Sequence, residues 1–330
     1  MWYITLMALT VLLLPLTFLL LCLVIAGQER EENDPEPAWQ VVVLQAAVLW
    51  GVLLAALSYG LSLLTSLNRL GLSLGWGAAL TGLALVGWRG GRLRGGWVRV
   101  RGWLGGLGRL PRAEQGLLAV VGGLALVLLV VALMAPPNTN DSMRYHLARV
   151  MHWQQNQSLA HYPTPIEAQL WMPPWAELAI LHLVVLEGSD RLANLVQWLA
   201  MLGSLAGVAW IARRLGARTA GQVAAVVTAF TIPMGILQAT STQNDYVTAF
   251  WAVCLAVFVL RDLGEQGLES SPVRSTRRGE NYKFGGFWRC FTSPKSPARN
   301  RETPLVSRTG RPAAAASAGG KPGMPAARRG

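Results

Sequence analysis

Seven apolar runs, separated by short polar or arginine-rich connectors, constrain this chain more than any other feature. They cover residues 3–26, 41–64, 70–88, 115–135, 192–212, 219–233 and 246–260. A helix needs about 20 predominantly apolar residues to cross the hydrocarbon layer; the first five runs are of that order and the last two are shorter. In hydrocarbon every backbone N–H and C=O must bond within the protein, which leaves helices or a closed barrel. Continuous runs of this length, without strict alternation, select helices. The expected fold class is all-α, a polytopic transmembrane helix bundle. The first run is too long for a cleaved signal and has no basic segment before it, so it reads as a retained span. With 52% hydrophobic and 14% charged residues, an ordinary soluble domain is excluded.

The net charge of +12 suggests an acidic partner until its location is traced. Residues 271–330 hold 13 Lys and Arg against 2 acids, including all three lysines, Lys283, Lys295 and Lys321. The rest of the chain is nearly neutral, so no nucleic-acid partner is expected. Residues 262–330 form the last of three expected regions. Beyond 270 the sequence is Ser, Pro, Arg, Ala and Gly without apolar periodicity. Such a segment buries too little surface to offset its ordering entropy, so a disordered basic tail is expected. Its abrupt change in residue usage suggests a shifted reading frame; a natural tail lying on anionic lipid is the other reading. Cys22 and Cys254 sit within apolar runs and Cys290 in the tail, which excludes a disulfide framework.

Arginine placement sets the expected orientation. Residues 88–112 carry Arg89, Arg92, Arg94, Arg99, Arg101, Arg109 and Arg112 with no acid, the mark of a cytoplasmic loop; Arg213, Arg214 and Arg218 mark another. The 136–189 region then lies outside the membrane, and Asp245 emerges on that same side. Residues 1–135 read as a block of spans without chemistry, in which Gly71, Gly75, Gly77 and Gly82 allow close packing. Residues 136–261 read as a core with a structured outer loop.

Polar residues concentrate in that loop. Pro136-Pro137 ends the preceding helix. Residues 142–155 read as an amphipathic helix lying on the membrane surface, with Met143, Leu147, Val150, Met151 and Gln154 on one stripe. Residues 175–186 are apolar but too short to span, so a re-entrant or interfacial piece is expected. Asp141 suits either a helix cap or a general base at the water–lipid border. Arg144 and Arg149 suit headgroup contact or a substrate phosphate. Asp245, before Tyr246, suits a helix cap, although flanking Gln238, Gln243 and Asn244 make it more polar than a connector needs, and Glu177 reads as a local cap or a lining residue. His146, His152 and His161 match no compact metal spacing, so no metal and no cofactor is expected.

The segment Asp141-Ser142-Met143-Arg144-Tyr145, followed by a Trp-containing helix, Tyr162-Pro163, Pro173-Pro174, Gly188 and Arg191, resembles the first outer loop of the C-type (GT-C) integral-membrane glycosyltransferases. That group includes protein O-mannosyltransferases and the lipid A aminoarabinose transferase. Residues 239–251, with Asp245, resemble its second outer acidic motif. The likeness covers residues 136–261, and Ser142, Met172 and Trp175 depart from the family pattern. The family continues with further spans, so the resemblance implies an incomplete member. It implies a GT-C-like bundle in the cytoplasmic membrane that moves a sugar from a polyprenyl-phosphate donor to a lipid, glycan or protein acceptor outside it. Catalytic roles would fall to Asp141 and Asp245, and substrate binding to Arg144, Tyr145, His146, Arg149 and Glu177. A transporter, the first rival, would place acids or broken helices at mid-membrane. A non-catalytic membrane scaffold would tolerate loss of either aspartate.

Overall fold

A computed structural model of the chain describes residues 9–28, 38–107 and 110–269. Contacts divide the chain into Met1–Phe284 and Gly285–Gly330, and all described residues belong to the first unit. The expected disordered tail beyond 270 and the acidic 29–36 connector lie outside the described residues.

Every regular element among the described residues is helical. A 3-10 turn, Thr10–Leu12, leads into α1 (Leu13–Ala26). It is followed by α2 (Trp39–Leu63), α3 (Arg69–Arg89), α4 (Arg92–Leu107) and α5 (Arg112–Met134). The 136–189 loop contains α6 (Leu147–Asn156), α7 (Ala168–Trp171) and α8 (Trp175–Glu187). The chain then forms α9 (Leu195–Arg214), α10 (Thr219–Phe230), α11 (Pro233–Gln238) and α12 (Asp245–Glu269). The last helix continues past residue 261, where the sequence suggests a boundary.

Among the described residues, five helices are long and apolar enough to cross a membrane: α2, α3, α5, α9 and the Asp245–Leu263 part of α12. Their outward faces carry large exposed apolar side chains, such as Leu117, Val120, Leu124 and Val127 on α5. A continuous surface of that kind suits hydrocarbon. The apolar helices Thr10–Ala26 and Thr219–Phe230 are shorter. At 1.5 Å per residue α10 covers only about 18 Å, against about 30 Å of hydrocarbon, so the expected span at 219–233 is not a full crossing by itself; the start of the first expected span, 3–8, lies outside the described residues.

Helices α9 and α12 run in the same direction. Gln197 near the start of α9 accepts from the Val247 amide near the start of α12. Further along, Gly203 and Gly207 face Phe250 and Val253 in the same order. The segment between them therefore travels the length of the bundle as α10, a break and α11. Proline at 233 sets the break by holding Ile232 in an extended conformation.

Two local expectations change. The 88–112 loop is largely the helix α4, packed on α1. A Cβ at Gly96 would strike the Leu23 carbonyl, and one at Gly27 the Arg92 carbonyl. Of the four glycines expected to allow close packing, Gly71 meets the Ser66 carbonyl and Gly75 meets Leu57 of α2, whereas Gly77 and Gly82 face open space; further tight crossings lie at Gly27–Gly96 and at Gly203–Gly207. Backbone cannot move aside as a side chain can. Gly96→Ala is therefore expected to destabilise the chain by about 1–3 kcal/mol. Gly207→Ala, which meets the Val253 and Leu44 side chains and no backbone, should be milder. Thermal unfolding in detergent ranks the pair, and equal losses would contradict this account of the crossing.

Apart from Glu177, His182 and its last residue, helix α8 is apolar on every face because it is buried on nearly every face. Ala176 to Leu186 are buried except Leu183, and α8 packs against α2, α3 and α6. It is a core helix, not an interfacial one. Gly188 at φ +91° ends it in the left-handed conformation, which glycine adopts without strain. One apolar cluster runs from Leu14, Val41 and Trp76 through Leu147 and Ile180 to Val257. The first helices and the 136–261 region therefore share a single core.

Candidate functional site

The site is built where α5 ends and α6 begins. Asp141 does not cap the helical turn that follows it. Thr139 caps it instead. The Ser142 amide donates to Thr139 Oγ1 at 3.2 Å, and the two hydroxyls bond at 2.6 Å. The Asp141 carboxylate is left partly exposed and free of backbone duty. Residues Ser142–His146 then form a wide π-helical turn before α6, an irregularity often associated with functional sites.

Tyr145, on this turn, is near enough to Asp141 for that carboxylate to act on its phenol. The phenol is held above its ordinary value first by burial, then by the charges of Asp141, Asp245 and Glu177. Each of these disfavours a phenolate. Tyr145 thus senses both aspartates, although they lie about a hundred residues apart in sequence. Helix packing explains how. Asn194 donates to the carbonyls of Ala132 and Ala135 at 3.3 and 3.0 Å, which sets the start of α9 beside the end of α5. Parallel α9 and α12 then bring Asp245, the exposed first residue of α12, to that same end.

Behind Tyr145 lies a closed ionic cluster. His146 Nδ1 and Glu177 Oε1 are 2.9 Å apart, and Arg149 Nη1 reaches the same oxygen at 3.3 Å. His146 and Glu177 are fully buried and Arg149 is 1% exposed. Arg149 also donates to three backbone carbonyls: Nε to Gln169 at 2.7 Å, Nη1 to Met172 at 3.0 Å and Nη2 to Ala168 at 2.8 Å. Its guanidinium packs 5.4 Å from the Trp153 ring centre.

Three of the expected substrate-binding residues are thus engaged within the protein. Arg149 holds the carbonyls around α7. Glu177 and His146 are enclosed and pair with each other. His146 tilts against Tyr145 with ring centres 4.2 Å apart, so the cluster braces the tyrosine from behind. His146 Nε2 and Glu177 Oε2 are buried without a described partner, a common feature of strained or functional polar clusters. Arg144, by contrast, is exposed, next to Tyr145 in the sequence on the same π-helical turn.

The surface-helix expectation for 142–155 also changes. Met143 and Met151 are exposed, whereas His146, Arg149 and Val150 are buried. The π turn shifts the angular phase at its start, and the Glu177 ion pairs draw charged residues inward. His152 stacks on Tyr162 at 3.9 Å between ring centres. Among the described residues, no three His, Cys, Asp or Glu side chains are grouped to hold a metal ion.

Two polar anchors are not evident from the sequence. Gln169 bonds to Tyr162, Thr164 and the Arg144 carbonyl. His182 Nδ1 accepts from Trp76 Nε1–H at 3.0 Å, and its Nε2 lies 2.9 Å from Ser58 Oγ. Indole can only donate, so Nδ1 is unprotonated and Nε2–H donates to Ser58, which donates to Leu54 O. A neutral, fully satisfied histidine therefore ties α8 to α2 and α3. Its one legible signal is isolation, a single imidazole inside an apolar run.

No protein-family model matches this chain, and no curated protein or solved structure does so.

Proposed function

We propose that this is an integral-membrane glycosyltransferase of the cytoplasmic membrane. Its site faces outward, and it moves a sugar from a polyprenyl-phosphate donor to an extracytoplasmic acceptor. The reading is supported chiefly by one observation: the packing of α9 against the end of α5 and alongside α12 collects Asp141 and Asp245 at one end of the bundle, where the charges of both raise the Tyr145 phenol.

The chemistry suits such a site. The acceptor hydroxyl oxygen bonds to the anomeric carbon while the carbon–oxygen bond to the donor phosphate breaks. Asp141 takes the hydroxyl proton as general base, and polyprenyl phosphate departs with the electron pair. Exposed Arg144 neutralises the phosphate by charge-assisted hydrogen bonds. Tyr145 orients the Asp141 carboxylate, and Asp245 orients donor or acceptor. The motif resemblance across residues 136–261 names the reaction class; membrane lipids surround the apolar faces, and the acceptor is a lipid, glycan or protein.

Two measurements test this reading. In proteoliposomes the full chain should release labelled sugar from a polyprenyl-phosphate donor to an acceptor. Single cysteines at positions 141 and 245, in a chain otherwise free of cysteine, should react with an impermeant thiol reagent from the same side. Labelling from opposite sides would leave no shared reaction centre and end the proposal.

A further inference from the structure

A second site lies next to the first. A cavity of about 250 Å³ opens beside the 136–189 loop, bounded by the end of α2, residues 159–162, α7 and Pro174. Its floor is locked. Gln169 is buried, accepts from Tyr162 Oη at 3.1 Å and Thr164 Oγ1 at 2.9 Å, and donates to the Arg144 carbonyl at 2.7 Å. Arg149 lies beneath, held by its carbonyls and Glu177. The rim is aromatic and open: Trp171 is 67% exposed, Tyr59 53% exposed, and His161 is exposed as well.

Size, charge and surface chemistry narrow the occupant. Pockets for drug-sized molecules run to roughly 300–1,000 Å³, so this one takes a single ring, not a sugar with its phosphate and prenyl chain. Charge is balanced, because Glu177 neutralises Arg149, so the occupant needs no charge of its own. Exposed aromatic faces carry negative potential and stack against the slightly positive C–H face of a sugar ring. Around them, the Tyr59 hydroxyl and the His161 ring nitrogens offer partners to hydroxyls at the ring's edge. A purely apolar ring would leave those groups unused.

We propose that this cavity is a subsite for one neutral pyranose ring. Resting on the sugar-transfer reading, that ring belongs to the acceptor. Through Gln169 its floor hydrogen-bonds directly to the Arg144 carbonyl, one peptide from Tyr145 on the turn that follows Asp141.

The test is saturation-transfer NMR on the purified full chain in nanodiscs. It uses the methyl α- and β-glycosides of glucose, galactose and mannose, with methyl glucuronide as the charged control. At least one neutral glycoside should receive saturation at its ring C–H protons, and the glucuronide should receive less. Trp171→Ala and Tyr59→Ala should each reduce that signal at least about 5-fold, the loss of one stacking face, and Trp171→Phe should restore most of it. Both side chains are exposed, so these variants should fold. Absence of signal from every neutral glycoside, or a signal unchanged in both alanine variants, would overturn the subsite. If Trp171 instead anchors in lipid, spin-labelled lipid will relax its indole protons and glycosides will not protect them, which also overturns it. Glycoside binding without sugar transfer keeps the subsite and removes the proposed activity. Transfer without glycoside binding does the reverse.

Discussion

Asp141→Asn is expected to lower sugar transfer by roughly 10²–10⁴-fold, the usual worth of a positioned general base, while leaving the folded chain intact. Asparagine retains an oxygen that can accept from Tyr145 but cannot take a proton from the acceptor. Nothing structural depends on the charge, because Thr139 and not Asp141 receives the Ser142 amide. The change therefore separates chemistry from folding. Turnover of a labelled polyprenyl-phosphate sugar in proteoliposomes, with thermal unfolding of the same preparation, reads both quantities. Unchanged turnover would remove the base from the mechanism. A large fall in melting temperature would instead show that the carboxylate is structural.

The largest expected stability effect lies one layer further in. Glu177→Ala removes the carboxylate that reaches both His146 and Arg149 and leaves an arginine charge in a site shut from water. Breaking a buried ion pair from one side costs about 3–5 kcal/mol. Glu177→Gln keeps an acceptor and most of the volume, so its loss should be smaller. Both should slow transfer indirectly, because the Glu177–His146 pair braces Tyr145 from behind. Denaturant titration of the three proteins in detergent provides the comparison. If Glu177→Ala proves as stable as the parent chain, the cluster is not the internal anchor described above.

Part of the fold and of the site is legible in the residues alone. The apolar runs predict helices because crossing hydrocarbon is a demand on length and composition, both local properties. Asp141 and Asp245 stand out because each lies in a polar segment at the end of an apolar run, on the same expected side of the membrane. For Asp141 the helix-cap reading competes with the catalytic one because Thr139 and Asp141, two residues apart, are both competent caps. Which of them caps depends on how the chain leaves Pro137. Arg144 and Arg149 are chemically identical in sequence and opposite in fate, one exposed and one buried beneath α7. That difference arises from Gln169, Met172 and Glu177, all 20 or more residues downstream of Arg149. The Arg92–Leu107 helix resembles a loop in sequence because its glycines weaken helix propensity; contact between Gly96 and α1 offsets that weakness.

By itself, the order of residues determined, for the described part of the chain, helices long and apolar enough to cross a membrane, with polar groups collected at the ends of apolar segments. The reason is that a hydrophobic run carries its preference for hydrocarbon wherever it sits. Tertiary structure alone decided which of those polar groups face one another. Parallel packing of α9 and α12 carries Asp245 to Tyr145, and enclosure by α6, α7 and α8 turns Arg149 and Glu177 into internal supports. Both outcomes depend on contacts between segments tens of residues apart, and no local pattern encodes them.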